Sequence, residues 1–224
     1  MVGQHATALN LLHEAVVGKK RMQWVPAHEK LMLRLVELCV ELKKPKLSRE
    51  ALHAYKTICH NTMNTNMPPQ LQSLEIVVRH LLNLAEAKLE QSQVKADKIV
   101  SDLEDLDAIE TPESIMMSSV TADDTKDRTD RQEVSPWLRF LWETYRGTLE
   151  VVRYNTKLEA LYQTTAQQAF QFCLKYQRKS EFRRLCEILR THFLNLAKYS
   201  GAKDAISLRC APLKPPAFIN VCSQ

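Results

Sequence analysis

Ser135-Pro136-Trp137-Leu138-Arg139-Phe140-Leu141-Trp142-Glu143-Thr144-Tyr145-Arg146 reads as the opening of a helix. A serine hydroxyl can accept a hydrogen bond from a free backbone amide, and proline suits the first helical position, where an N–H would have no partner. Trp137, Phe140, Leu141, Tyr145 and Leu149 then recur at three- and four-residue steps, which puts them on one side. A second stripe starts at Asn155 or Thr156 and runs through Leu158, Leu161, Tyr162, Ala166, Ala169, Phe170, Cys173 and Leu174. Ser180 is expected to cap a third helix, with Phe182, Leu185, Cys186, Leu189, Phe193 and Leu196 facing inward. This aromatic-rich trio is expected to be the most stable part of the chain.

The same period appears toward the amino end. Met32, Leu35, Val36, Cys39 and Leu42 predict a helix over Ala27 to Leu42, with Pro26 ahead of it. Lys43-Lys44-Pro45-Lys46 ends it, Ser48 is expected to cap the next, and Leu52, Tyr55 and Cys59 give that helix an inner face. After a loop containing Pro68-Pro69, Leu74, Val77, Val78, Leu81, Leu82 and Ala85 mark a longer helix. Helices joined by short loops predict an all-α fold of antiparallel hairpins, stacked as a tetratricopeptide-like superhelical array of degenerate repeats.

Composition changes at Asp102. Thr111 and Pro112 predict one short capped turn there, and Thr121 to Glu133 is polar enough to predict an exposed, mobile loop. The predicted division is a helical-repeat portion over 1–101, an acidic segment and loop over 102–134, the helical trio over 135–198, and a proline-containing, disordered tail over 199–224.

A chain of 224 residues, 45% of them hydrophobic, can bury a real core, and four glycines argue against strands and tight turns. No apolar run approaches the roughly 20 residues of a membrane span, and Met1 to Lys20 lacks the apolar centre of a signal peptide, so a soluble, cytoplasmic chain without membrane attachment is expected. Cys39, Cys59, Cys173, Cys186, Cys210 and Cys222 form no CxxC pair, and the seven histidines include no i, i+4 pair. Reduced thiols and no metal are the expectation. With no phosphate-binding loop, GxSxG or HExxH, neither catalytic residues nor a cofactor are expected.

Charge is uneven. Asp102 to Asp130 holds ten acids against Lys126 and Arg128; with 31 basic and 26 acidic residues overall, 29 and 16 lie elsewhere, a balance of +13 that favours an anionic partner such as RNA. Candidate cation clusters are Lys19-Lys20-Arg21, then Lys43-Lys44 with Lys46, then Arg178-Lys179 with Arg183-Arg184, all at expected turns where a phosphate backbone can approach. Asp102, Glu104, Asp105 and Asp107 form an acidic surface suited to a basic protein. The helical spacing of Trp137, Phe140, Trp142 and Tyr145 fits a buried stripe better than stacking on unpaired bases.

Several of these stretches also resemble a known family. Leu103-Glu104-Asp105-Leu106-Asp107, Asp127-Arg128-Thr129-Asp130-Arg131, the 135–146 stretch, Ala166-Gln167-Gln168-Ala169-Phe170 and Arg178 to Cys186 carry the likeness, together with Trp24, Leu31 to Leu42, Leu52 to Lys56 and Ser73-Leu74-Glu75. In this order they resemble the N-terminal helical region of the A subunit of eukaryotic translation initiation factor 3. The resemblance implies a non-catalytic scaffold and RNA-binding component of that complex, one that helps mRNA recruitment and docking on the small ribosomal subunit. Its implied partners are the other initiation factor 3 subunits, notably the C subunit. A stand-alone helical module binding single-stranded RNA or protein is the alternative. Against the family pattern the chain is expected to be shortened at both ends: it lacks the first family helix, leaving Leu9, Leu12 and Val16 uncovered, and it stops before the PCI domain, weakening pairing with the C subunit.

Overall fold

The computed structural model describes residues 2–18, 24–61, 69–107, 130–153 and 155–199, and every element among them is helical. In order these are α1 Val2–Val17, α2 Pro26–Glu41, α3 Pro45–Asn61, α4 Pro69–Asp107, a π-helical turn Asp130–Val134, α5 Ser135–Val152, a 3-10 turn Thr156–Leu158, α6 Glu159–Lys175 and α7 Lys179–Tyr199. The expected turn at Thr111-Pro112, most of the expected loop over 121–133, the Lys19-Lys20-Arg21 cluster and the tail beyond Tyr199 lie outside the described residues. Two compact units divide the chain, Met1–Gln171 and Phe172–Gln224.

In the first unit the helices pack in pairs: α1 on α2 and α3, α2 on α3 and α4, and α5 on both α3 and α4. The predicted stripes of α2, α3 and α4 are the core: Met32, Leu35, Val36 and Cys39, then Leu52, Tyr55 and Cys59, then Leu74, Val77, Val78, Leu81, Leu82 and Ala85, all buried. Each leucine enclosed in this way contributes roughly 2 kcal/mol through apolar surface removed from water. At 39 residues α4 is about 58 Å long, more than twice the length of α2. The stacked helical hairpins expected from the periodicity are present.

Helix α5 is more enclosed than one stripe implies. Phe140, Leu141, Tyr145 and Leu149 are buried, and so are Trp142, Thr144, Gly147, Thr148, Val151 and Val152. Its outward side is a polar row, with Arg139, Arg146 and Glu150 exposed and Glu143 half-buried, so the buried face is broad but does not encircle the helix. Accordingly α3, α4 and the π turn all pack against it.

Several local expectations are corrected. Ser48 caps nothing, because α3 already starts at Pro45 and its hydroxyl is buried without a hydrogen-bond partner. Ser135 does not cap α5, since the π turn feeds straight into that helix from Val134, whose own side chain is buried. Ser180 lies inside α7 and donates to Glu181 Oε2 at 2.6 Å. The helix end legible as a cap is Asn155, whose Oδ1 accepts from the Lys157 amide at 3.1 Å. The apolar side of α1 is covered: Leu9 and Val16 are buried in the packing on α2 and α3, and Leu11 is the outward leucine, 68% exposed.

The second unit holds the end of α6 and α7. Its inner residues include Phe172, Cys173, Glu181, Leu185 and His192. Leu174 and Cys186, expected inside, are exposed, and Phe193 is 55% exposed. The buried line runs through 185 and 192, about 100° around the helix from 186 and 193, so α7 is rotated by one residue relative to the expected stripe. His192 occupies the place expected for Phe193.

Candidate functional site

The two described basic clusters sit on turns of identical construction. At the end of α2, Lys43 adopts a left-handed conformation with φ 53°, its amide donates to Val40 O at 3.1 Å, and the Lys44 amide donates to Cys39 O at 2.9 Å. At the end of α6, Gln177 has φ 50°, its amide donates to Leu174 O at 3.2 Å, and the Arg178 amide donates to Cys173 O at 2.8 Å. This pairing of one six-to-one and one five-to-two hydrogen bond is the Schellman closure, which satisfies helix carbonyls that otherwise lack partners. Proline at 45 then opens α3, as its missing N–H permits.

These closures fix the backbone of each cluster, while the side chains divide into braced and free cations. Lys43 Nζ lies 4.5 Å from the centroid of the Trp137 ring, and Trp137 packs edge-on against Phe140 at 5.9 Å. That cation–π contact ties the α2–α3 turn to the start of α5. Lys44 and Lys46 are exposed, with no ionic partner among the described residues. In the second unit Arg178 is committed to Glu181, whose other carboxylate oxygen accepts from Ser180. Burial pushes the Glu181 carboxyl up, but the hydrogen bonds from Ser180, its own amide and Arg178 outweigh burial and hold it below the ordinary carboxylate value. Lys179, Arg183 and Arg184 are exposed and unpaired among the described residues.

Asp102, Glu104, Asp105 and Asp107 occupy the last two turns of α4 rather than a separate segment. Among the described residues no three histidine, cysteine, aspartate or glutamate side chains gather as a metal set, and no helix is long and apolar enough to cross a membrane.

The sequence reading missed a polar seam between α3 and α5. Arg49 pairs with Glu150 at 3.2 Å, Lys56 Nζ donates to Val151 O at 2.6 Å, and Asn155 Nδ2 lies 3.0 Å from His60 Nε2. Positions 49, 56 and 60 are separated by two turns and then one, so they share one face of α3; that spacing was the available signal.

Fold and surface together define a tetratricopeptide-like stack of helical hairpins carrying rigid basic turns. The family described as eIF3a, PCI domain, TPR-like region matches residues 1–211. The A subunit of eukaryotic translation initiation factor 3 from Aspergillus terreus is 49% identical over 217 residues, covering 92% of this chain and 20% of that protein. The proteins of the same name in Aspergillus oryzae and Coccidioides immitis are each 50% identical over the same length and coverage. The chain therefore belongs to the family of the A subunit of eukaryotic translation initiation factor 3, and it spans about a fifth of the length of these curated relatives.

Proposed function

We propose that this chain works as a non-catalytic docking region of initiation factor 3 in the cytoplasm, supporting mRNA recruitment and helping the factor onto the small ribosomal subunit. Lys44 and Lys46 carry the proposal: unpaired cations on a turn whose backbone is locked offer phosphate groups a preordered, hydrated contact. Lys179 at the start of α7, and Arg183 and Arg184 one turn into that helix, are further exposed cations close to the second closure, and Lys19, Lys20 and Arg21 are the remaining candidate contacts. The acids Asp102, Glu104, Asp105 and Asp107 at the end of α4 suit a basic protein surface, such as that of another initiation factor component, the C subunit included. Functionally the chain divides at its acidic stretch, 102–134, with docking cations to either side.

The test is co-sedimentation with purified small ribosomal subunits over a salt series. Lys44→Glu with Lys46→Glu, and separately Lys179→Glu with Arg183→Glu and Arg184→Glu, are expected to weaken binding and to flatten its salt dependence by roughly one unit of log–log slope per lost phosphate contact. Unchanged affinity and slope in both variants would remove these clusters from the interface. Equal affinity for free unstructured RNA and for the ribosomal particle would favour a stand-alone RNA-binding module instead.

A further inference from the structure

The Asn155 side chain links two elements at once. Its Oδ1 accepts from the Lys157 amide, which leaves its Nδ2 group, a donor only, facing His60 Nε2 at 3.0 Å. His60 Nε2 must therefore accept, which requires a neutral ring with its proton on Nδ1. A protonated ring would set one donor against another at 3.0 Å. We infer that His60 is a pH-operated latch: its neutral ring ties the connection between α5 and α6 to the end of α3, and protonation releases it.

The surroundings favour the neutral ring. Burial acts first, and Lys56 of α3 and Lys157 of the 3-10 turn add positive charge, so His60 protonates below the ordinary histidine value. Lys56 is itself half-buried on Val151 O and is repelled by Arg153 at the end of α5. Several acids on the neighbouring helices are engaged elsewhere: Glu41 with His5 of α1, Glu37 of α2 with Arg34 and His80, Glu86 of α4 with Tyr145, and Glu150 of α5 with Arg49, while Glu50 lies 3.5 Å from His13 Nε2. None of them acts on His60. With the folded value lower than the unfolded one, the closed connection is fully favoured above the ordinary histidine value and loses that advantage as pH falls below it.

The experiment is a pH titration of the full chain, with ¹⁵N-labelled histidine followed by NMR and amide protection followed across residues 153–161. At neutral pH His60 is expected in the Nδ1–H tautomer. Below pH about 6.5, opening of the 155–158 turn is expected to grow by up to about tenfold per pH unit, while α2 and α4 keep their protection. His60→Gln, which can accept from Asn155 but cannot gain charge, is expected to abolish that pH response, and Lys157→Met to move His60 protonation to higher pH. An Nε2–H tautomer at neutral pH, or an unchanged response in His60→Gln, would overturn the latch.

Discussion

At Tyr55 three distant parts of the chain meet on one oxygen. Trp24 Nε1 donates to the Tyr55 hydroxyl at 3.0 Å, and that hydroxyl lies 2.6 Å from Ser73 Oγ. The indole can only donate, so the phenolic proton is free for Ser73. Tyr55→Phe removes the hydroxyl shared by Trp24 and the buried Ser73, and is expected to lower unfolding free energy by about 1–3 kcal/mol, read as a fall in the urea midpoint at unchanged slope. Burial, opposed by these hydrogen bonds, also raises the Tyr55 hydroxyl from 10.0 to about 12. Its contribution is therefore complete below the ordinary tyrosine value and lost as pH climbs toward about 12, so the alkaline limb of the stability curve should be shallower in Tyr55→Phe. Trp24, Tyr55 and Ser73 were all legible as family-like residues, but nothing in their spacing announced that they converge. The handedness of the turns was equally silent, because Lys43 and Gln177 stand where glycine is the usual signal. Gln177→Gly relieves that left-handed conformation and is expected to raise stability by roughly 1 kcal/mol, measured by thermal or urea unfolding.

Among the helices, α5 makes room for α3 at Gly147. A side-chain carbon there would lie 3.2 Å from Arg49 Cγ and 3.3 Å from its Cβ and Cδ, so the glycine makes room for the arginine stem that ends at Glu150. Gly147→Leu must displace that stem or separate the helices, and a loss of about 1–3 kcal/mol in unfolding free energy is expected from urea or thermal melts. Periodicity made α2, α3 and α4 readable because each has one dominant apolar stripe and a polar remainder. It under-read the width of the buried face of α5, which includes Thr144, Gly147 and Thr148 where neighbours come close, and these do not register as apolar. It misplaced α7 because Leu185 and Cys186, and His192 and Phe193, offer two adjacent stripes, of which the structure buries the one containing His192. The basic turns were legible as loops bearing cations; which cations are committed, Lys43 to Trp137 and Arg178 to Glu181, depends on contacts made at long range or across a turn.

Across the whole molecule the two compact units differ in how much they enclose. The first buries paired stripes from several helices, whereas among the described residues the second buries few apolar side chains and leaves Leu174, Phe193 and Leu194 exposed. Free energy of opening follows buried apolar contact, so the second unit, which holds α7 and only the end of α6, should open more readily than the first. Cysteines report on each unit separately. Burial pushes the Cys39 and Cys59 thiols up to about 12 and, with Glu181 nearby, the Cys173 thiol up to about 11, so at mildly alkaline pH these protected thiols react only when their surroundings open. Cys186 is exposed. With N-ethylmaleimide under native conditions, peptide mass spectrometry is expected to find, among the four described cysteines, Cys186 modified first, Cys173 next through local opening, and Cys39 with Cys59 last and together. Low urea should accelerate all three buried sites, with Cys173 showing the weaker urea dependence because its opening exposes less surface. Equal rates and equal urea slopes for Cys39 and Cys173 would instead mean that the chain opens as one cooperative body.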